Sequence, residues 1–421
     1  MSKITKYPFS QLYDMASGIS STKEQAGHGS PFISFSTVFN NYFLPDVLPD
    51  LMNTSLQEQN TYSVKEGDIF VTRTSETIDE LAMSCVALKD YPCATYSGFT
   101  KRLRPKTEGV VYHKYLAFYL RGSLFRKSVT NNAFMTLRAS FNEDIFSFLN
   151  IYLPEYNEQI KIGDMLYAME QKIAVNKRIN DNLEQQAKLL YDYWFTQFDF
   201  PDENGKPYCS SGGEMVWNEE LKREIPKGWE VKKLNDICSF RNGINYEKDC
   251  TGDSTYLIIN VRNITASSLI MNASDFDEIA LPKEQANRYI VKESDIIIAR
   301  SGTPGATRLV FNPENNIIFC GFIICCTPND SKCQLFLTHY LKQLEGTNAT
   351  KTGGSILQNV SQDTLKSLYV CLPTNDVLDS FNEKAEIFIN KMNNAINENQ
   401  ELKKLRDWLL PMLMNGQATV E

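Results

Sequence analysis

The feature that most constrains this chain of 421 residues is that it is written twice. Ser63-Val64-Lys65-Glu66-Gly67-Asp68-Ile69-Phe70-Val71-Thr72-Arg73 matches Ile290-Val291-Lys292-Glu293-Ser294-Asp295-Ile296-Ile297-Ile298-Ala299-Arg300. Upstream, Gln11-Leu12-Tyr13-Asp14-Met15 aligns with Lys233-Leu234-Asn235-Asp236-Ile237, and Phe32-Ile33-Ser34-Phe35 with Tyr256-Leu257-Ile258-Ile259. Downstream, Ile151-Tyr152-Leu153-Pro154 aligns with Val370-Cys371-Leu372-Pro373. Four matches in one order, at offsets of about 219 to 227 residues, make the chain a tandem duplication. The length, too great for one ordinary core, agrees with two units.

Each unit begins as mixed α/β. The runs 68–73, 256–261 and 295–300 are β-branched or apolar and end in turn residues, which predicts strands. Apolar residues at helical spacing predict short amphipathic helices over 112–126 and 335–344. Each unit then closes on a long helix. After Leu153-Pro154, residues at alternating steps of four and three run Ile162, Leu166, Met169, Ile173, Asn176, Asn180, Leu183, Ala187, Leu190 and Trp194. After Leu372-Pro373 the same frame gives Phe381, Ala385, Phe388, Met392, Ala395, Asn399, Leu402, Arg406, Leu409 and Leu413. A step averaging 3.5 residues is the heptad signature, and two such helices predict an intramolecular pair, since each would otherwise expose an apolar seam. Asn180 and Asn399 share a frame position, either as buried amides fixing register or as half-exposed polar residues.

Pro, Gly and Asn-Gly punctuation marks the segment between the first long helix and the second unit as a connector with turns. It carries Tyr191 to Phe195 (a Tyr-x-x-Trp-Phe helix end), Phe198 to Tyr208, Gly212-Gly213-Glu214-Met215, and Ile225 to Trp229. In these motifs the sequence resembles the specificity subunits of type I restriction–modification enzymes. Arg241-Asn242-Gly243-Ile244 resembles the motif opening a target-recognition domain in that family. The Gly353-Gly354-Ser355 and Asn359-Val360-Ser361 stretch resembles the end of one. The first unit departs from the pattern, with Ala16-Ser17-Gly18 at the opening and Thr74-Ser75-Glu76-Thr77 where the second has Ser301-Gly302-Thr303.

The resemblance covers the whole chain and implies two α/β (α+β) target-recognition domains in tandem, each followed by a long helix, the two helices forming an antiparallel coiled coil as a spacer in a pseudo-twofold internal duplication. The expected boundaries are 1–153 for the first domain, 154–228 for a spacer helix (about 157–195) plus connector, 229–372 for the second domain, and 373–421 for the second spacer helix. It further implies that each domain reads one half of a bipartite sequence in double-stranded DNA. Two modification (methyltransferase) subunits would dock on the helices, and restriction (nuclease and translocase) subunits would join through the complex. The chain itself would be non-catalytic.

Composition and missing motifs bear on that expectation. The net charge of −8 is unevenly distributed. Residues 1–153 carry +1, 154–225 carry −6, 226–373 are neutral and 374–421 carry −3. The units therefore cannot supply a large counterion-release term alone, and partner subunits are expected to make many phosphate contacts. The ten cysteines include no C-x-x-C pair and there are three histidines, so reduced thiols are expected rather than zinc or disulfides. No apolar leader opens the chain and the longest apolar run, 317–326, is half a membrane span, so a cytoplasmic, soluble protein is expected. That run reads as a buried strand or strand pair. No dinucleotide or P-loop fingerprint and no Asn-Pro-Pro-Tyr or Asp-Pro-Pro-Tyr motif occurs, so no cofactor is expected. Pro201-Asp202-Glu203 with Lys206 imitates a nuclease carboxylate cluster, but the spacing is too tight and a solvated turn is expected.

Base reading needs directed donors and acceptors where strands and loops meet a groove. The first unit offers Arg73, Thr74 and Ser75 after a strand, the basic cluster Lys101, Arg102, Arg104 and Lys106, and Asn131, Asn132 and Arg138. The second offers Asn260, Arg262, Asn263, Arg300, Ser301, Thr303, Arg308, Gly353, Gly354, Ser355 and Asn359. Any one of these is as readily a solvated surface residue as a DNA contact. Two other readings compete: a self-contained restriction–methylation enzyme, which needs the missing catalytic motifs, and a coiled-coil interaction protein, which leaves the duplicated α/β units unexplained.

Overall fold

The computed structural model describes residues 4–132, 139–247, 251–314, 316–345 and 359–420. The chain divides into two compact units, one of residues 1–173 with 401–421 and the other of residues 174–400. The division runs through both long helices, so each unit holds part of each helix.

In the first unit the central sheet has the strand order Tyr13–Ser17, Thr100–Pro105, Ile69–Thr72, Ser84–Val86, all antiparallel. Ile69–Thr72 is buried on both faces, as its unbroken apolar run requires. A second, three-stranded sheet joins Asp50–Met52, Ala26–Ile33 and Thr95–Tyr96. The strand Thr5–Pro8 pairs with Asn150–Leu153 and so ties the two ends of the unit together. The expected helix over 112–126 is two helices, His113–Arg121 and Ser123–Asn132. Gly122 between them is extended and its amide turns back to the Tyr119 carbonyl, which ends the first helix.

The second unit repeats this plan. Its central sheet runs Cys238–Asn242, Ile323–Pro328, Ile296–Ala299, Thr307–Val310, with Ile270–Met271 added in parallel at the edge. Asp277–Leu281, Ser254–Ile259 and Ile317–Phe319 form the three-stranded sheet, and Glu230–Lys233 pairs with Tyr369–Leu372. The apolar run 317–326 is therefore two strands in two different sheets, and the helix expected over 335–344 is Gln334–Gln343.

The pairing registers correct two of the four sequence matches. Ile33 lies opposite Tyr96 as Ile259 lies opposite Phe319, so Ile33 corresponds to Ile259 and that match slips by two residues. The short helices Phe9–Leu12 and Leu234–Ile237 correspond, which moves the upstream match by three. A two-residue slip in a strand keeps every side chain on its own face, so the apolar pattern could not detect it.

The first long helix is Tyr156–Tyr191, closed by a π-helical turn at Asp192–Thr196. The second is Asn375–Met414, with Pro411 inside its last turn. Every residue of both heptad frames is buried or half-buried. Within the first unit Ile162 and Leu166 share a core with Leu410 and Leu413, and Glu170 pairs with Arg406. Within the second, Asn176 Nδ2 donates to Asn399 Oδ1 at 2.9 Å, Leu183 packs with Ile389 and Met392, and Tyr191 meets Phe381. The helix segments in each unit thus run antiparallel. The cross-helix amide is Asn176 and not Asn180, whose Oδ1 is buried without a partner among the described residues. Antiparallel neighbours meet at mirrored positions, whereas the duplication equates positions read in the same direction.

The connector is held by aromatic packing of Phe198, Phe200, Tyr208 and Trp229 and by a hairpin, Met215–Asn218 with Arg223–Pro226. Asp202 Oδ1 accepts the amides of Asn204 and Lys206, both at 2.8 Å. The would-be carboxylate cluster is thus a side-chain-capped turn.

Candidate nucleic-acid interface

In each unit three segments meet where the central strand ends. In the first, the Arg73 amide donates to the Phe99 carbonyl at 2.8 Å, and the Phe141 amide donates to the Arg73 carbonyl at 2.7 Å. In the second, Arg300 donates to Phe322 at 2.8 Å and Val360 to Arg300 at 3.0 Å. Both arginines are exposed, with backbones locked on either side. Beside them, Gly18 and Gly243 permit an unusually close approach of two chains. A Cβ on Gly18 would stand 2.3 Å from the Ser97 carbonyl oxygen, and one on Gly243 2.1 Å from that of Cys320.

At the opposite end of each central strand lies a buried carboxylate. Asp68 is 0% exposed and Asp295 1%, and each accepts the amide of the residue three before it, Lys65 or Lys292, at 2.8 Å. The compensating cation arrives from different strands. Arg104, on Thr100–Pro105, holds Asp68 at 2.6 and 2.7 Å, which keeps the guanidinium charged. Arg241, on Cys238–Asn242, pairs with Asp295, and Thr327 donates to the same carboxylate. By register, Arg104 corresponds to Thr327 and Arg241 to Ala16. The first unit's departure from the family's opening motif is therefore an exchange of the cation between neighbouring strands, with the carboxylate unchanged.

This layout separates the residues singled out in the sequence. Arg104 is committed to Asp68 and, with Arg102, to the Ser63 carbonyl, at 2.8 and 2.7 Å. Arg308 is buried on the Ser267 and Thr307 carbonyls and Glu345, and Asn263 caps its own helix. Their donors point into the unit. Lys106 pairs with Asp14, and Asn132 donates to the Ser128 carbonyl. Asn260 and Arg262 both bond Asp277 on an exposed face, and Thr303 meets Thr265 at 3.2 Å. At the junctions themselves stand Arg73, Thr74 and Ser75 in one unit and Arg300, Ser301 and Asn359 in the other. Lys101 lies near Arg73; burial first, and then the charge of Arg73, hold its ammonium below the usual lysine value. Asn131 is exposed at the end of its helix. Arg138, Gly353, Gly354 and Ser355 lie outside the described residues.

The junctions also contain a pair that the sequence reading passed over, Gly98-Phe99 and Gly321-Phe322. The repeated Gly-Phe dipeptide was the available signal. Among the described residues no group of three His, Cys, Asp or Glu side chains is placed to hold a metal, and no helix is long and apolar enough to cross a membrane.

Comparison with known proteins agrees with the duplication. The type I restriction modification DNA specificity domain matches twice, over residues 9–185 and 226–405. The chain is 27% identical over 417 residues to the type I restriction enzyme MjaIX specificity subunit of Methanocaldococcus jannaschii, covering 94% of this chain and 92% of that one. It is 26% identical over 328 residues to the HindI specificity subunit of Haemophilus influenzae, covering 65% and 70%. A crystal structure of a type I restriction–modification S subunit from M. genitalium shares the fold, with a TM-score of 0.55 at 15% identity over 98% of this chain and 96% of that one. Two copies of one domain, two long helices and a relative aligned over more than nine-tenths of both chains place the chain in the family of type I restriction–modification specificity subunits.

Proposed function

We propose that the chain is the non-catalytic reader of a type I restriction–modification complex in the cytoplasm, each unit recognising one half of a bipartite sequence in double-stranded DNA. The observation that carries this reading is the strand-end junction, built twice with an exposed arginine locked by backbone bonds on both sides. A guanidinium presented from a fixed backbone suits bidentate recognition of a base edge, because the point from which it reaches is already set. Arg73, Thr74 and Lys101 would serve one half-site, with the buried Ser75 shaping the turn through its bond to the Thr77 amide, and Arg300, Ser301, Thr303, Asn260, Arg262 and Asn359 would serve the other. Arg138, Gly353, Gly354, Ser355 and Asn131 remain candidates on sequence grounds. Asn263 and Arg308 would serve the second unit's fold with their donors turned inward, as Arg102 and Arg104 do at the far end of the first unit's central strand.

The two helices would form an antiparallel coiled coil that docks two modification subunits and sets the gap between half-sites, with restriction subunits joining through the complex. Residues 1–153 and 226–373 are close to neutral, so those partners would add many of the phosphate contacts. The test is co-expression with type I modification subunits. A site-specific methylating complex is expected, while the chain alone binds no methyl donor in calorimetry. Saturable cofactor binding or methyl transfer by the chain alone would overturn the reading.

A further inference from the structure

Two large aromatic side chains stand exposed at matching points of the duplication. Phe99 is 66% and Phe322 61% exposed, although both units have apolar cores close by. Each sits third in a tight turn. The Thr100 amide closes on the Ser97 carbonyl at 2.9 Å, and the Ile323 amide on that of Cys320 at 3.0 Å.

Both turns are clamped in the same way. Ile19 donates to Tyr96 and accepts from Gly98, at 2.9 and 2.7 Å, while Ile244 donates to Phe319 and accepts from Gly321, at the same two distances. The glycine is required by the clamp, since a Cβ on Gly98 would lie 2.9 Å from the Ile19 carbonyl oxygen. The phenylalanine carbonyl in turn receives the amide of the strand-ending arginine. In both units a phenylalanine is thus joined, backbone to backbone, to an exposed arginine at the end of the central strand. Leaving such a ring in water forgoes the stabilisation that burial brings, and nothing in either turn requires it. Rigid, exposed aromatic and arginine pairs are the composition of binding hot spots.

We propose that Phe99 and Phe322 are apolar base contacts, one for each half-site, pressing on a thymine methyl group or a base step while the adjacent arginine reads polar edges. The inference rests on the specificity-subunit reading above. DNA is favoured over a protein partner because the backbone carbonyl of each phenylalanine accepts the amide of its junction's exposed arginine, and Lys101 stands near Arg73 in the first.

The test uses the full chain in complex with modification subunits and a labelled duplex carrying the site mapped from methylated genomic DNA. Phe99→Ala and Phe322→Ala should each weaken binding to that duplex by about ten-fold or more. Binding to a duplex lacking the site and the slope of affinity against salt should stay unchanged, because no phosphate contact is lost. Phe99→Leu, which keeps an apolar side chain on the turn, should retain most of the affinity. Site affinity within about two-fold of the parent for both alanine variants would overturn the inference. So would a reduced salt slope, or loss of modification subunits from the complex, which would make the ring a protein-docking residue. If the parent complex shows no preference for its site, the function reading falls and the inference with it. If the parent discriminates and the alanine variants match it, only the inference falls.

Discussion

Arg104→Ala should destabilise the first unit by about 3 kcal/mol, and transplanting the second unit's layout should reverse most of that loss. Removing one partner of a buried ion pair costs roughly 3–5 kcal/mol, because a charge is left without compensation. Asp68 is fully buried and would retain only the Lys65 amide. The Arg104 side chain is 29% exposed, so water can enter the vacated space, and the lower end of that range applies. The register supplies the rescue: Ala16→Arg with Arg104→Thr puts the cation and the hydroxyl where Arg241 and Thr327 stand in the second unit. Arg102 lies directly opposite Ala16 and would repel the new guanidinium, so Arg102→Cys, the residue at the matching place, completes the graft. Urea titration read by hydrogen-exchange mass spectrometry of peptides within 63–104 assigns the change to the first unit. The triple variant should return to within about 1 kcal/mol of the parent. A triple variant no more stable than Arg104→Ala would refute the claim that the two units place their cations at interchangeable positions.

Two further outcomes follow from the geometry. His339 is buried against Tyr191 and Phe381, and burial pushes its imidazole down to about 4. The unfolded chain, with an imidazole near 6.5, then binds the proton first, so stability is full above about 6.5 and is lost as pH falls toward 4. At pH 4.5 the loss from this residue is about 2.5 kcal/mol, and in urea titrations at pH 7.5 and 4.5 His339→Phe should show a pH dependence shallower by that amount. Deleting residues 173–179 together with 396–402 removes the Asn176–Asn399 bond but leaves the Glu170–Arg406 and Leu183–Met392 partners in step. One heptad is about 10 Å of helix, or roughly three base pairs; methylome sequencing should show a shorter gap with unchanged half-site bases, or no methylation.

Much of this architecture was legible because it rests on repetition. Ile69–Thr72 and Ile296–Ala299, inside the runs 68–73 and 295–300, are strands buried on both faces, where an apolar run fits, and the helices that carry the heptad frames continue for about ten turns each. Register was less legible: Ile33 and Ile259 share a place that an alternating pattern cannot fix. The helix partners of Asn176 and Arg406 depend on direction, which a periodic pattern does not encode. The candidate site was legible only in part, since an arginine's type does not reveal whether its donors face out. Arg73 and Arg104 offer the same donors, yet one is exposed and the other is locked on a buried carboxylate. Phe99 and Phe322 were invisible to a search for polar readers, because their interest lies in where the turn holds them.

The claim that each unit reads its own half-site is tested most directly by exchange. Residues 229–370 are replaced by the corresponding domain of a relative with a known site, the chain is expressed with its modification subunits, and methylated bases are mapped across the genome by long-read sequencing. The account predicts that the half-site read by the second unit changes to that of the donor, with the other half and the gap unaltered. Changed bases in both halves, or an unchanged site from a folded and methylating chimera, would contradict it.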